Sequence, residues 1–287
     1  MRSVRMTGMI LLSMLLVLCS VSLAGGEAYP EEPASPAWRV YDPSLHWMYA
    51  QLTYREKRAF SARYDAAAMG DVSLWDLSGL GLSAYEEERV MLALLQDCPE
   101  LMMCSPEIPV LGFYAVLEDA QWFQNNAQGN RALLDACRER LNALKQSDAW
   151  GTTDLDHEQA WDALMVKGTE YLLDDDGPEG SRHLTSDVRA ACSVILNRTA
   201  VCEGFARSTQ LALRFFGIPC LYASGDAGSG GHAWNYVYLD GAWHQYDPTW
   251  NRHDGETRYF HMTQADCAAR RIREEFASHG FQFPVCR

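Results

Sequence analysis

An α+β fold is what this sequence of 287 residues predicts, and three observations predict it. Apolar side chains recur at helical spacing through most of residues 43–173. Residues 203–216 carry a further helical stripe that Gly217 stops. From residue 232 the period changes to two, and Asp240-Gly241 folds the alternation back as a two-residue hairpin.

Taken in order, Leu45, Met48, Leu52, Phe60 and Tyr64 mark one or two amphipathic helices within 43–68. Residues 71–82, with Gly79 and Gly81, read as a loop or short strand. Ser83 and Glu86 form a capping box that opens a helix with Val90, Leu92, Leu94 and Leu95 on its stripe. Asp97-Cys98-Pro99 ends it, because proline disfavours helix just before itself. Residues 108–117 read as a strand and 125–130 as a turn. A helix from Asn130 to about Gln146 places Leu133, Leu134, Cys137, Leu141 and Leu144 on one face. Another, from about Leu155 to Leu173, is lined by Trp161, Leu164, Met165 and Tyr171. The acidic run 174–177 fails the spacing of a calcium loop at both ends and reads as a solvated turn.

The first 24 residues are set apart from the fold. Arg2 and Arg5 precede an apolar run from Met9 to Leu18, and small residues close at Ala24, the form of a cleaved secretory signal. The apolar run is too short for a comfortable membrane span, and no other span follows. Residues 25–37 read as a flexible leader, 38–150 as a mostly helical N-terminal region and 151–287 as the core that carries the chemistry. Losing Arg2 and Arg5 leaves 22 basic against 38 acidic residues, a net charge of −16. So acidic a surface disfavours nucleic acid and anionic membrane as partners. The expected location is extracytoplasmic. Eight cysteines remain after Cys19 is removed, and none lies in a C-x-x-C pair, so the sequence gives a zinc site little support.

Three residues can act jointly. Cys202 begins the helix 203–216, where backbone amides and the helix dipole favour a thiolate. Arg207, Gln210 and Arg214 mark that helix's polar face. A short strand at 219–223 and a loop, 225–231, then deliver His232. The two-residue turn pairs Leu239 with Ala242, which sets Asp247 opposite Trp234 and makes it a diagonal neighbour of His232. Diagonal neighbours lie about 7–8 Å apart at the backbone, within reach of an imidazole–carboxylate bond. A carboxylate on one ring nitrogen fixes the tautomer and turns the other towards a nucleophile.

These stretches resemble the transglutaminase-like superfamily of cysteine enzymes. The resemblance is carried by Val-Cys-Glu-Gly-Phe-Ala at 201–206, Leu-Ala-Leu-Arg-Phe-Phe-Gly-Ile-Pro-Cys at 211–220, His-Ala-Trp-Asn at 232–235 and Trp-His-Gln-Tyr-Asp-Pro-Thr-Trp at 243–250. It implies a papain-like core in which the cysteine-bearing helix packs on an antiparallel sheet, beneath a helical N-terminal lobe. It implies a Cys202, His232, Asp247 triad, with Glu203, Trp234 and Asn235 as substrate-binding neighbours. The expected activity is acyl transfer from amide bonds of proteins or peptides through a thioester, by hydrolysis or transfer to an amine. No metal or cofactor is required by that chemistry, and the calcium sites of animal transglutaminases have no evident counterpart here. The competing expectation is a catalytically silent binding module of the same fold, and the oligomeric state is open.

Overall fold

Thr53 and Ser83 each open a helix by the same device. Each hydroxyl accepts the backbone N–H three residues on, and Glu56 or Glu86 returns the bond. They start α2 (Tyr54–Met69) and α3 (Ala84–Asp97), which follow the single turn α1 (Trp47–Ala50). α3 ends at the Asp97-Cys98-Pro99 break read from the sequence, and a 3-10 turn, Pro99–Leu101, follows. The computed structural model describes residues 45–71, 73, 76–103, 120–172, 186–227, 230–254, 258–269, 273–274 and 279–287. The signal and leader at 1–37, the strand expected at 108–117 and the acidic turn at 174–177 lie outside them.

α4 (Ala120–Leu144) corrects the turn expected at 125–130. The polar residues there occupy its outer side, while Ala127 and Asn130 are buried. Ala127 packs against the end of α2 so closely that a Cβ on Gly70 would meet its Cβ at 2.9 Å. Tertiary packing thus carries the helix through a stretch whose composition says turn.

α5 (Asp154–Trp161) corrects the long helix expected at 155–173. It widens into a π-turn at Asp162–Val166, whose exposed carbonyls at Leu164 and Met165 both accept from Arg198 Nη1, at 2.8 and 2.9 Å. Leu164 points outward, and Glu170–Tyr171 becomes a short strand, β1, parallel to β2 (Thr199–Ala200).

β3 (Cys220–Asp226), β4 (Gly231–Leu239), β5 (Ala242–Tyr246) and β6 (Arg273–Glu274) form an antiparallel sheet in the order β5-β4-β3-β6. Leu239 pairs with Ala242, as the two-residue turn requires. Asp240 and Gly241 both have positive φ, 51° and 81°, the mark of a type I′ turn. The loop expected at 225–231 is shorter than its composition suggests, because Gly225 and Asp226 still pair with His232 and Gly231.

α6 (Cys202–Phe215) lies on one face of this sheet. Phe205, Ala212 and Leu213 join Trp161, Ile195, Val237 and Tyr246 in the main core. Each of these large side chains, fully buried, contributes about 1.5–3 kcal/mol. Asn235 Nδ2 ties helix to sheet by donating to Ala206 O at 2.9 Å and Leu221 O at 3.1 Å. Leu221, Ala223, Trp234, Tyr236 and Cys286 fill the opposite face.

The polar face assigned to α6 does not meet solvent. Arg207 Nη1 donates to Leu95 O at 2.9 Å, Gln210 Nε2 to Gln96 O at 2.6 Å, and Arg214 Nη1 to Asp97 O. Three consecutive carbonyls at the end of α3, which helix geometry leaves without partners, are capped by a neighbouring helix. All described residues fall within one compact unit, Asp42–Arg287, and among them no helix is long and apolar enough to cross a membrane.

Candidate active site

Cys202 is the first residue of α6, and the N-cap before it, Val201, offers no side-chain cap to the helix amides. The thiol is free and partly exposed. His232 stands near the start of β4, and Asp247 directly follows β5. His232 Nε2 meets Asp247 Oδ2 at 2.7 Å, and the second Asp247 oxygen accepts from Trp250 N at 3.0 Å. With Nε2 engaged, Nδ1 is the ring atom left for the Cys202 thiol, which is hydrogen-bonded to the same imidazole. Trp250 stacks on the ring at 4.5 Å and nearly parallel, fixing its plane.

Charge follows geometry. Burial disfavours the charged imidazole, but the hydrogen bonds to Asp247 and Cys202, and their charges, outweigh it and hold the His232 pKa up at about 10. Asp247 is itself held from both sides along the chain. Tyr246 O–H and Asn251 Nδ2 donate to Asp162 Oδ1 at 2.6 and 2.9 Å, and Lys167 Nζ meets Asp162 Oδ2 at 3.1 Å.

His232 and Asp247 meet as the hairpin register predicts, but strand parity alone does not bring His232 to Cys202. Strand parity places His232 with Trp234 and Tyr236, which face away from α6, whereas Cys202 packs with Ala206, Tyr222 and Ala233 on the α6 side. His232 reaches Cys202 because it lies at the end of the strand. Asp247 has left β5 and caps α7 (Pro248–Asp254).

Of the three residues read as substrate-binding, two are corrected. Trp234 and Asn235 are fully buried, so they form the floor of the site and offer no surface to a ligand. Asn235 is committed to Ala206 and Leu221. Glu203 stays near the surface, paired with Arg207 at 3.0 Å and Arg189 at 3.5 Å.

Tyr171 belongs to the site, and helical periodicity misassigned it as a lining residue. Its phenol oxygen accepts from the Cys202 backbone N–H and is hydrogen-bonded to the thiol as well. Burial, first of all, and the neighbouring Cys202 push its pKa up to about 12, so the phenol keeps its proton. The ring lies against Phe205, with the Arg252 guanidinium 5.7 Å from its centroid. Only the parallel pairing of β1 with β2, Tyr171 beside Ala200, sets position 171 next to 202. No local pattern in the sequence carries that pairing.

A cysteine at the start of a helix on an antiparallel sheet, facing a histidine–aspartate pair, defines the papain-like class of fold. Residues 142–248, the stretch that holds Cys202, His232 and Asp247, match the model of the transglutaminase-like superfamily. The chain is 31% identical to the kyphoscoliosis peptidase of Mus musculus and 30% identical to that of Homo sapiens, each over 24% of this chain. It spans only 14% of the length of either relative. A crystal structure of a TGase superposes with a TM-score of 0.32 at 19% identity, over 46% of this chain and 38% of that one.

Proposed function

We propose that the protein is an exported cysteine enzyme that cleaves or exchanges amide bonds of proteins or peptides through a thioester. One observation carries the reading: the His232 imidazole is bonded to Asp247 through Nε2 and to the Cys202 thiol on its other side. In the proposed reaction Cys202 Sγ attacks the amide carbonyl as a thiolate while His232 holds its proton. The tetrahedral oxyanion replaces the Tyr171 oxygen as acceptor of the Cys202 backbone N–H, and the Tyr171 phenol turns its O–H towards it as a second donor. His232 then gives its proton to the departing amine, leaving an acyl-thioester. Water or a second amine adds next, with His232 taking a proton from it, and the thiol is restored. Asp247 keeps the ring in the useful tautomer throughout.

The deciding experiment is mass spectrometry of candidate peptides with and without an added primary amine. Cleavage or deamidation alone identifies a hydrolase, and an amine adduct identifies a transferase. The peptidase names of the mouse and human relatives make hydrolysis the first arm to test. Cys202 is expected to alkylate at pH 6 at least about tenfold faster than free cysteine, because His232 stays protonated until pH approaches 10 and pairs with the thiolate. The advantage fades as pH rises past about 8.5, where free cysteine itself becomes thiolate. A Cys202 no more reactive than free cysteine at pH 6 removes the enzyme reading and leaves a binding module. Tyr171→Phe is expected to lower kcat by about 10²–10³ with KM nearly unchanged, the signature of a lost oxyanion donor. An unchanged kcat would remove Tyr171 from that role. Export is supported by the N-terminal pattern, and N-terminal sequencing of the secreted protein is expected to begin at Gly25.

A further inference from the structure

Away from Cys202, three chemically different ligands converge at the N-terminal end of the fold. A ring nitrogen of His46, the thiol of Cys98 and a carboxylate oxygen of Glu100 all lie within 4.8 Å of one another. His46 is the N-cap of α1, Cys98 the C-cap of α3, and Glu100 sits in the 3-10 turn that follows. Residues two apart on an α-helix do not face each other. Pro99 breaks the helix between Cys98 and Glu100, and the tight turn brings both to the same place.

We propose that His46, Cys98 and Glu100 form a Zn²⁺ site, with a fourth position open to water. One thiolate, one imidazole and one carboxylate are the donors zinc accepts, and three protein ligands are enough to hold it. Calcium and magnesium would ask for oxygen throughout. The surroundings fit a cation. Tyr64 O–H donates to Glu100 Oε1 at 2.9 Å, which orients the carboxylate. The Arg214 guanidinium nearby is turned to Asp97, 3.9 Å from its Oδ1 and bonded to its carbonyl. A dication balances a Cys98 thiolate and the Glu100 carboxylate. The site joins α1 to the end of α3, whose last carbonyls receive Arg207, Gln210 and Arg214 of α6. Zinc therefore stiffens the support of the Cys202 helix without touching the reacting atoms. Counting C-x-x-C pairs does not find such a site, because only one of its ligands is a cysteine.

The test uses the purified full chain, stripped of metal and dialysed against Zn²⁺, with a Cys202→Ser background to exclude the reactive thiol. Elemental analysis is expected to find one zinc per chain, and Co²⁺ in its place to show a thiolate-to-cobalt charge-transfer band. Cys98→Ala and His46→Gln are expected to weaken zinc binding at least about 100-fold. Should either variant unfold, the cobalt spectrum of the Cys202→Ser chain still decides. No zinc retained at micromolar concentration, a cobalt spectrum without a thiolate band, or undiminished binding in a folded Cys98→Ala chain overturns the proposal.

Discussion

Asp247→Asn is expected to cut turnover about 10⁴-fold while the protein stays folded. Asparagine matches aspartate in size, and its carbonyl oxygen can keep accepting from Trp250 N, so the start of α7 is preserved. The change falls on the other atom. Where Oδ2 accepts from His232 Nε2–H, the amide of asparagine donates instead. The ring must then carry its hydrogen on Nδ1, pointing at Cys202, and it can no longer take the thiol's proton. The imidazolium also loses the carboxylate that supports it, so the alkylation advantage of Cys202 at pH 6 should disappear with turnover. Asp247→Ala removes the cap as well and should cost about 1 kcal/mol of stability besides. The comparison needs kcat/KM on the peptide identified by mass spectrometry and a thermal melt of each variant. A normal melt with near-normal kcat/KM for Asp247→Asn would show that Asp247 does not orient His232.

Gly204→Ala is expected to destabilise the protein by about 3 kcal/mol or more, although helix propensity argues the opposite sign. In a free helix the change would gain about 1 kcal/mol. Here a Cβ on Gly204 would stand 2.1 Å from Val188 O and 2.5 Å from Ser193 Oγ. The carbonyl cannot simply retreat, because it also accepts from Val201 N at 3.1 Å, the bond that sets the entry to α6. Overpacking against backbone therefore decides the sign. A loss of that size lowers Tm by roughly 6–12 °C in a chain of this length. The first turn of α6 has to shift, so the Cys202 alkylation rate should fall as well. A raised Tm would show that the turn at Val188 yields freely.

Much of the site is written in short stretches, and those were legible. The Asp240-Gly241 turn fixes its own register, and the register brings Asp247 to His232. The Ser83 box and the Pro99 break bound α3 through local backbone chemistry. What the sequence hides depends on partners far along the chain. Arg207, Gln210 and Arg214 look like a solvated face until the carbonyls of α3, more than a hundred residues earlier, are seen to receive them. Tyr171 looks like helix until β2 pairs with it. Residues 125–130 look like a turn until α2 packs on Ala127. Trp234 and Asn235 sit in a motif beside His232, yet alternation along β4 turns neither towards a ligand, and burial closes off both.

The capping of α3 by α6 bears on where the protein can be cut. The superfamily match begins at residue 142, which invites excision of a smaller enzyme from that point. Such a fragment would keep Cys202, His232 and Asp247 but leave Leu95, Gln96 and Asp97 behind. Arg207 would keep Glu203 at 3.0 Å, but it and Gln210 would lose their acceptors on α3, and the apolar surface that α3 covers would be bared. Baring that surface costs about 25 cal/mol per Å², against a stability of only about 5–15 kcal/mol for an ordinary domain. The boundary of resemblance is thus not a boundary of autonomy.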